Sequence, residues 1–496
     1  MLGNNNETIK GGAVQYRHRK EEGQDDAPAH IGKSAFEILR FREAFGIRHK
    51  ASPSSIHCWA TVIGSRFGLA SPALSTQSPF PNRNEYLALD LSLSMVKVLA
   101  VPDDHEELRA MIMRGSAAIL LASFFAAVPS AAQNAPLAEE ATPSVQELPD
   151  HYPASYVFVH DLNFQSLVDG RIAVVDVAAP DRGYKGQFTA AQLGVMIASA
   201  RKSELYVAET YYSRLNRGER TDVITIWDKK SLSPTGEIIL PGGKRGQFVT
   251  LPNSFQFTNG EKWGLVFNFT PASSVTVVDL EKRMVLVDID LPGCSLIYPT
   301  GERGFMSLCA DGTMTSIALD TDGTLAGTTT SEVFNDIDGD PMFMTPAMIG
   351  RTAWFVTFKG AFRGVDLSQA SARDLGGFSL AGEKSDAGEW RPGGWQVISA
   401  SADGQLFVLM SPAGKEGSHK DGGSEIWVVD PAKKSRTARW PLRNPAVSIE
   451  VTAEPKPSLV AARHDGSLDI YDAASGTFQR TIQKVGNSPM AMAASR

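Results

Sequence analysis

From about residue 153 onward the chain repeats one alternation of apolar and polar positions. A short run of β-branched and other apolar residues ends in Asp, a polar turn follows, and a second short strand-like run comes after it. The runs close at Asp176 ("IAVVD"), Asp228 ("ITIWD"), Asp279 ("VTVVD"), Asp320 ("TSIALD"), Asp366 ("FRGVD"), Asp430 ("IWVVD") and Asp472 ("LDIYD"). Their mean spacing is about 49 residues, within the period of propeller blades. Asp suits the end of such a strand because its carboxylate accepts the N–H groups of the turn. Further runs, "ELYVAET", "WGLVFNF", "GFMSLC", "AWFVTF", "QLFVLM" and "SLVAAR", stand before most of these strands, where the second strand of a four-stranded blade belongs. Alternation along each strand puts one of its faces into a core between sheets. A radial array also shortens the exposed sheet edges. The pattern predicts an all-β, seven-bladed β-propeller with four-stranded blades over residues 153–496.

The chain before it reads differently. Residues 111–135, "MIMRGSAAILLASFFAAVPSAAQNA", carry one positive charge at Arg114, an apolar stretch over 117–128, and the small residues Pro129, Ser130, Ala131 and Ala132. That is the layout of a secretory signal peptide, with cleavage after Ala132. A membrane-spanning helix needs about 20 apolar residues, more than this stretch has. Residues 111–132 are therefore read as a signal peptide. Residues 1–110 become sequence upstream of the true start, with Met111 or Met113 as the natural first residue. Their mixed charge and Ser/Pro-rich runs form no core, and only "AFEILRFREAF" has apolar residues at helical spacing. A genuine N-terminal regulatory extension is the alternative. Residues 133–152, rich in Pro and polar positions, are expected to be a flexible mature N-terminus.

Charge and cysteine content narrow the function. The sequence has 48 Lys and Arg against 55 Asp and Glu, a net charge of −7. Such an acidic balance argues against nucleic acid or an anionic membrane as partner, since both require a concentrated basic face. Of three cysteines, Cys58 lies in the upstream segment, leaving Cys294 and Cys309. In an exported chain these read most simply as one disulfide, the alternative being two unrelated buried thiols.

Catalytic motifs are missing. The sequence has no G-x-S-x-G elbow, no G-x-G-x-x-G after a strand, no P-loop and no C-x-x-C. His151, His160, His419 and His464 lack metal-ligand spacing. "NDIDGDP" at 335–341 looks like part of a calcium loop, but the twelfth position from Asp336 is Ala347, where an EF-hand needs Glu. "RLNRGERTD" at 214–222 reads either as a solvated hairpin tip or as a docking patch. "GEWRPGGWQV" at 388–397 reads either as a core corner or as a partner contact.

Several long segments carry a resemblance: "SRLNRGERTDVITIWD", "GCSLIYPTGERGFMSLCADG", "GDPMFMTPA", "WRPGGWQV" and "GKEGSHKDGGSEIWVVD". Across 150–490 the chain resembles the large (heavy) subunit of the quinoprotein amine dehydrogenases, the methylamine and aromatic amine enzymes of the periplasm. "PMFMTPA" and the last segment look closer to the aromatic amine enzyme. The resemblance implies a seven-bladed propeller paired with a small, cysteine-rich subunit, two large plus two small chains. It places tryptophan tryptophylquinone and the catalytic base in the small subunit, so that this chain holds no catalytic residue, cofactor or metal. A primary amine condenses with the quinone, a proton is abstracted, aldehyde is released, and electrons pass to a blue-copper protein such as azurin or amicyanin. The family's large-subunit disulfide matches Cys294 and Cys309. Its channel aromatic follows a Tyr-Val-x-Asp-x-x-Phe pattern, matched here by Tyr156, Val157, Asp161 and Phe164 with two extra residues between Val157 and Asp161. Phe164 is thus expected to wall the substrate path, unless it is an ordinary blade-core Phe. Two competing readings are a stand-alone propeller of the lactonase type, which needs carboxylates and His around a metal in the central tunnel, and a pure binding propeller.

Overall fold

A computed structural model describes residues 146–380 and 389–496, and the stretches read as upstream sequence and signal peptide lie outside them. Seven antiparallel sheets, each built from four consecutive positions counted outward from the axis, form a ring. Blade one consists of Pro489–Ala494 (inner), Tyr156–Asp161 (second), Arg171–Asp176 (third) and Tyr184–Thr189 (outer). Blade two consists of Val195–Ala198, Glu204–Arg214, Arg217–Asp228 and Pro234–Ile239. The inner strands of blades three to seven are Phe255–Thr258, Cys294–Pro299, Ala347–Ile349, Ile398–Ala400 and Ser448–Val451. A short extra strand, Arg391–Pro392, joins blade six. The seven-bladed propeller expected from the repeats is the fold. No helix among the described residues is long and apolar enough to cross a membrane.

The strand alternation works differently from the simple inside–outside reading. All six residues of Tyr156–Asp161 are buried, as are all six of Trp263–Asn268, Ser274–Asp279 and Gly304–Cys309. Each blade stacks against two neighbours, so alternate side chains enter two different cores. Tyr156 and Phe158 pack with Leu205, Val207 and Trp227 of blade two. Val157 and Val159 pack with Val460, Leu468 and Ile470 of blade seven. This is why the second and third strands are near-continuous apolar runs, as in sheets covered on both faces. The outer strands chiefly face water, the extreme being Leu325–Thr330, exposed throughout.

Six of the seven repeat Asp residues cap the turn that follows. Asp228 Oδ1 accepts the Ser231 N–H at 2.8 Å, Asp430 Oδ1 the N–H groups of Ala432 and Lys433 at 3.0 Å each, and Asp472 Oδ1 the Ser475 N–H at 2.8 Å. Asp176, Asp279 and Asp366 do the same. In blade four the third strand ends one residue earlier, at Leu319, and Asp322 takes the part expected of Asp320, accepting Thr324 N–H at 3.1 Å.

One strand pairing closes the ring, and a disulfide braces one blade. The C-terminal strand Pro489–Ala494 pairs with the first strand, Tyr156–Asp161, to complete blade one. Cys294 and Cys309, directly opposite each other on the first two strands of blade four, form a disulfide across a separation of 15 residues. By loop-closure entropy that cross-link stabilises the fold by about 3 kcal/mol. Replacing both by Ser is expected to lower the urea midpoint by that equivalent at unchanged m-value. A loss below about 1 kcal/mol would mean that the hairpin already persists in the denatured chain.

Part of the expected N-terminal arm is described as well. The Leu148 N–H donates to Lys230 O at 2.9 Å, and Tyr152 packs beside Tyr156 and Phe158 while its hydroxyl donates to Lys229 O at 2.6 Å.

Candidate functional site: the loop face of the ring

Antiparallel order fixes which connections share a face. Inner-to-second and third-to-outer turns lie at one end of the blades, and these include the short Asp-capped turns. Second-to-third loops and blade-to-blade crossings lie at the other end. In blade one this second end is marked by Asp161, Arg171, Thr189 and Pro489, which are register partners. Phe164, the RLNRGER tip, GDPMFMTPA, WRPGGWQV and GKEGSHKDGG all fall on connections of this loop face.

Phe164 stands in the loop joining Tyr156–Asp161 to Arg171–Asp176, and it is 44% exposed. It is therefore not a blade-core Phe. Leu162 and Asn163 beside it are buried, so the ring is displayed from a well-packed turn. A cleft of about 390 Å3 opens at the nearby junction of blades seven and one, lined by Asp161, Arg171, Tyr184, Lys484 and Asn487 among others.

In blade two the second and third strands run 11 and 12 residues, against six for most of their counterparts, so the hairpin projects from the loop face by about 15 Å. Its tip is tight, with Arg214 paired to Arg217 and Leu215 at φ 61° and 77% exposed. Tyr211, Arg214 and Arg217 are exposed with it. A two-stranded ribbon is marginal in water by itself, and here a polar base supports it. The buried Arg245 guanidinium donates to Thr210 Oγ1 at 2.9 Å, Gln192 O at 2.7 Å and Leu193 O at 3.2 Å. Thr210 Oγ1 donates to the buried Asp222 carboxylate at 2.6 Å, and Arg220 pairs with that carboxylate at 2.9 Å and with Arg245 O at 2.6 Å. Burial lowers the Arg245 pKa to about 10. Nearby Glu209, its carboxyl raised by burial, accepts Thr225 Oγ1 at 2.6 Å and Ala191 N–H at 2.8 Å.

WRPGGWQV is a core corner at its C-terminal half. Buried Gln396 donates to Glu450 Oε2 at 2.7 Å and Ile449 O at 3.1 Å, and accepts Met492 N–H at 2.9 Å, tying blades six, seven and one. Gly394, at φ 140°, lets the backbone pass where a Cβ would meet Val447 O at 2.4 Å. Burial raises the Glu450 carboxyl above its ordinary value. GDPMFMTPA and GKEGSHKDGG meet between blades five and six, where His419 stacks on Phe358 at 4.3 Å over a small cleft of about 100 Å3.

The calcium-like segment uses its carboxylates locally. Asp336 Oδ1 accepts Gly339 N–H at 2.8 Å, and Asp340 accepts Lys359 N–H and Thr357 Oγ1, both at 2.7 Å. Among the described residues no group of three His, Cys, Asp or Glu is arranged to hold a metal ion. Arg245 and Gln396 were missed by sequence reasoning, and Asp161 was read only as a position of the Phe164 motif, not as an anchor of its loop. Their partners lie far along the chain, and only a polar residue inside an apolar or Gly-rich stretch hints at them.

The fold is a seven-bladed propeller whose second-to-third loops and blade-to-blade crossings are gathered on one end of the ring. Residues 156–495 match the family described as "Methylamine dehydrogenase heavy chain (MADH)". Relatives of the same name are 29% identical over 302 residues in Methylophilus methylotrophus (60% of this chain, 73% of the relative) and 27% over 392 in Methylorubrum extorquens (77% and 92%). In Paracoccus versutus the figure is 29% over 330 residues (66% and 74%). The chain belongs to the methylamine dehydrogenase heavy chain family.

Proposed function

We propose that the chain is the large subunit of a periplasmic quinoprotein amine dehydrogenase acting on primary amines, with a preference for aromatic ones. The observation that carries this reading is the family match across the whole propeller, joined to an exposed Phe164 on its loop face. The partner is a small subunit bearing tryptophan tryptophylquinone, two of each chain forming the assembly, and a blue-copper protein accepts the electrons. The quinone supplies the oxidising chemistry from the partner's side. This chain's own residues bind, orient and exclude water. The loop face, with its projecting 211–220 hairpin, is the side toward the small subunit, because four of the five segments that carry the family resemblance have their loops there.

Phe164 then acts as a flat apolar wall that excludes water and sorts amines by side-chain size. In the assembled enzyme Phe164→Ala is expected to change the ratio of kcat/KM between an aromatic and a short aliphatic amine by about tenfold, while assembly and quinone content stay intact. An unchanged ratio would remove Phe164 from the substrate path. Purification of the native protein without any quinone-staining small subunit would overturn the functional reading as a whole.

A further inference from the structure

We propose that Asp161 and Asn163 are positioning residues that fix where the Phe164 ring stands, and that they do so by tying its loop to the segment that closes the propeller. This inference rests on the reading of Phe164 as a wall of the substrate path.

Asp161 ends the second strand of blade one and is buried. Its carboxylate receives three backbone donors. Oδ1 accepts the N–H of Asn163 at 3.1 Å and of Ser488 at 2.7 Å, and Oδ2 accepts the N–H of Asn487 at 2.9 Å. Gly486 has no Cβ where one would come within 2.8 Å of that carboxylate, which lets the closing segment approach. The Leu162 N–H adds a further bond to Ser488 O at 3.2 Å. A carboxylate bonded to several N–H groups in a buried site is a strong, directional anchor. One acceptor atom therefore holds both the residue before Phe164 and a segment 327 positions away.

Asn163 takes the second half of the task. Its φ is 44°, the left-handed region, which Asn tolerates better than most side chains. Its carbonyl accepts the Ser166 N–H at 2.8 Å, its Nδ2 donates to Asp169 O at 3.2 Å across the loop, and its Oδ1 faces Asn487 Nδ2 at 3.5 Å. Asp161, Leu162 and Asn163 are all buried, and the next side chain, Phe164, turns out to solvent. A latch serving ring closure alone needs only the bonds to 487 and 488. The bonds from Asp161 to Asn163 N–H and from Asn163 to Asp169 O contribute nothing to closure, and their geometric effect is to set the direction of residue 164. A wall that discriminates amines by size has to be placed to a fraction of an ångström, and displacement by about 1 Å is enough to alter rates many-fold.

The test uses the assembled enzyme and four variants: Asn163→Gly, Asp161→Asn, Phe164→Ala and the double variant Asn163→Gly/Phe164→Ala. Glycine at 163 keeps the left-handed backbone without strain and removes only the side-chain ties. We expect Asn163→Gly to raise KM for an aromatic amine by about tenfold, with kcat changed less than about twofold, and to shift the aromatic-to-aliphatic ratio in the same direction as Phe164→Ala. Asp161→Asn should shift it likewise; if that variant does not assemble, Asn163→Gly decides alone. In the Phe164→Ala background Asn163→Gly should leave the ratio within about twofold, because no ring remains to be placed. A ratio shifted by Phe164→Ala but not by Asn163→Gly overturns the positioning proposal and leaves the substrate-wall reading standing. So does an equal effect of Asn163→Gly in both backgrounds. No shift from Phe164→Ala overturns the wall reading, and the positioning proposal with it.

Discussion

Arg245→Met is expected to lower the stability of the chain by about 3–5 kcal/mol, the size of effect seen when one member of a buried charged network is removed. The guanidinium is inside the protein and makes three hydrogen bonds, two of them to Gln192 O and Leu193 O. Those residues have φ of 51° and 60° in the crossing from blade one to blade two, so their carbonyls are aimed by an unusual backbone at a single donor group. Methionine fills similar volume but leaves both carbonyls unpaired, and it leaves the buried Asp222 with Arg220 and Thr210 alone. The measurement is the urea midpoint at constant m-value. Asp222→Asn combined with Arg245→Met should recover part of the loss, since the neutral amide no longer needs a nearby positive charge. A single-variant loss below about 1 kcal/mol would show that water reaches the site and replaces the guanidinium. The projecting hairpin grows from the same network, so its tip should also show faster hydrogen exchange in the variant.

His160 makes the fold sensitive to mild acid. The side chain is 4% exposed on the strand between Ile172 and Ala491, and its Nδ1 has no hydrogen-bond partner among the described residues. Burial lowers its pKa from 6.5 to about 4. The native state therefore holds the imidazole neutral while the unfolded chain protonates it at about pH 6.5. Stability from this group is fully present above pH 6.5. It falls as pH drops from 6.5 toward 4 by about 1.4 kcal/mol per unit, reaching about 3 kcal/mol at the lower end. In His160→Gln that slope should vanish, so between pH 7.5 and pH 4.5 the stability of the unmodified protein relative to the variant should fall by about 2–3 kcal/mol. Parallel curves for the two over this range would sink the assignment. The capping carboxylates of Asp228, Asp279, Asp366, Asp430 and Asp472 are held below their ordinary value. Asp228, for example, is held below 3.8 first by the Ser231 backbone N–H, and its contribution is lost only as pH falls below that value.

Sequence alone carried the architecture because the repeat is written in short-range terms. An apolar run long enough for one strand, an Asp at its end and a polar turn are decided within about ten residues, and seven such units cannot bury their faces except against one another. The pairing of Cys294 with Cys309 was legible because they are the two cysteines left outside the upstream segment, and the structure sets them opposite each other across one hairpin. Departures arose where a local rule had two solutions. Either Asp320 or Asp322 can cap the fourth turn, and the register of the preceding strand selects Asp322. Alternation did not separate inside from outside, because a blade packed between two neighbours buries both faces.

The loop face belongs to the tertiary structure. Phe164 could be found by its motif, but its exposure follows from how Asp161 and Asn163 turn the chain, and their partners 486–488 lie at the far end of the sequence. Gln396 reaches Glu450, 54 positions away, and Arg245 reaches Gln192 across 53. Such bonds leave no periodic trace, because a single side chain meets a backbone group brought near only when the ring closes. What the sequence determined was a ring of seven sheets and the family it resembles. Which polar residues became its internal ties, and which loops came to share one face, were decided by closure, because antiparallel order around a ring sends each kind of connection to the same end.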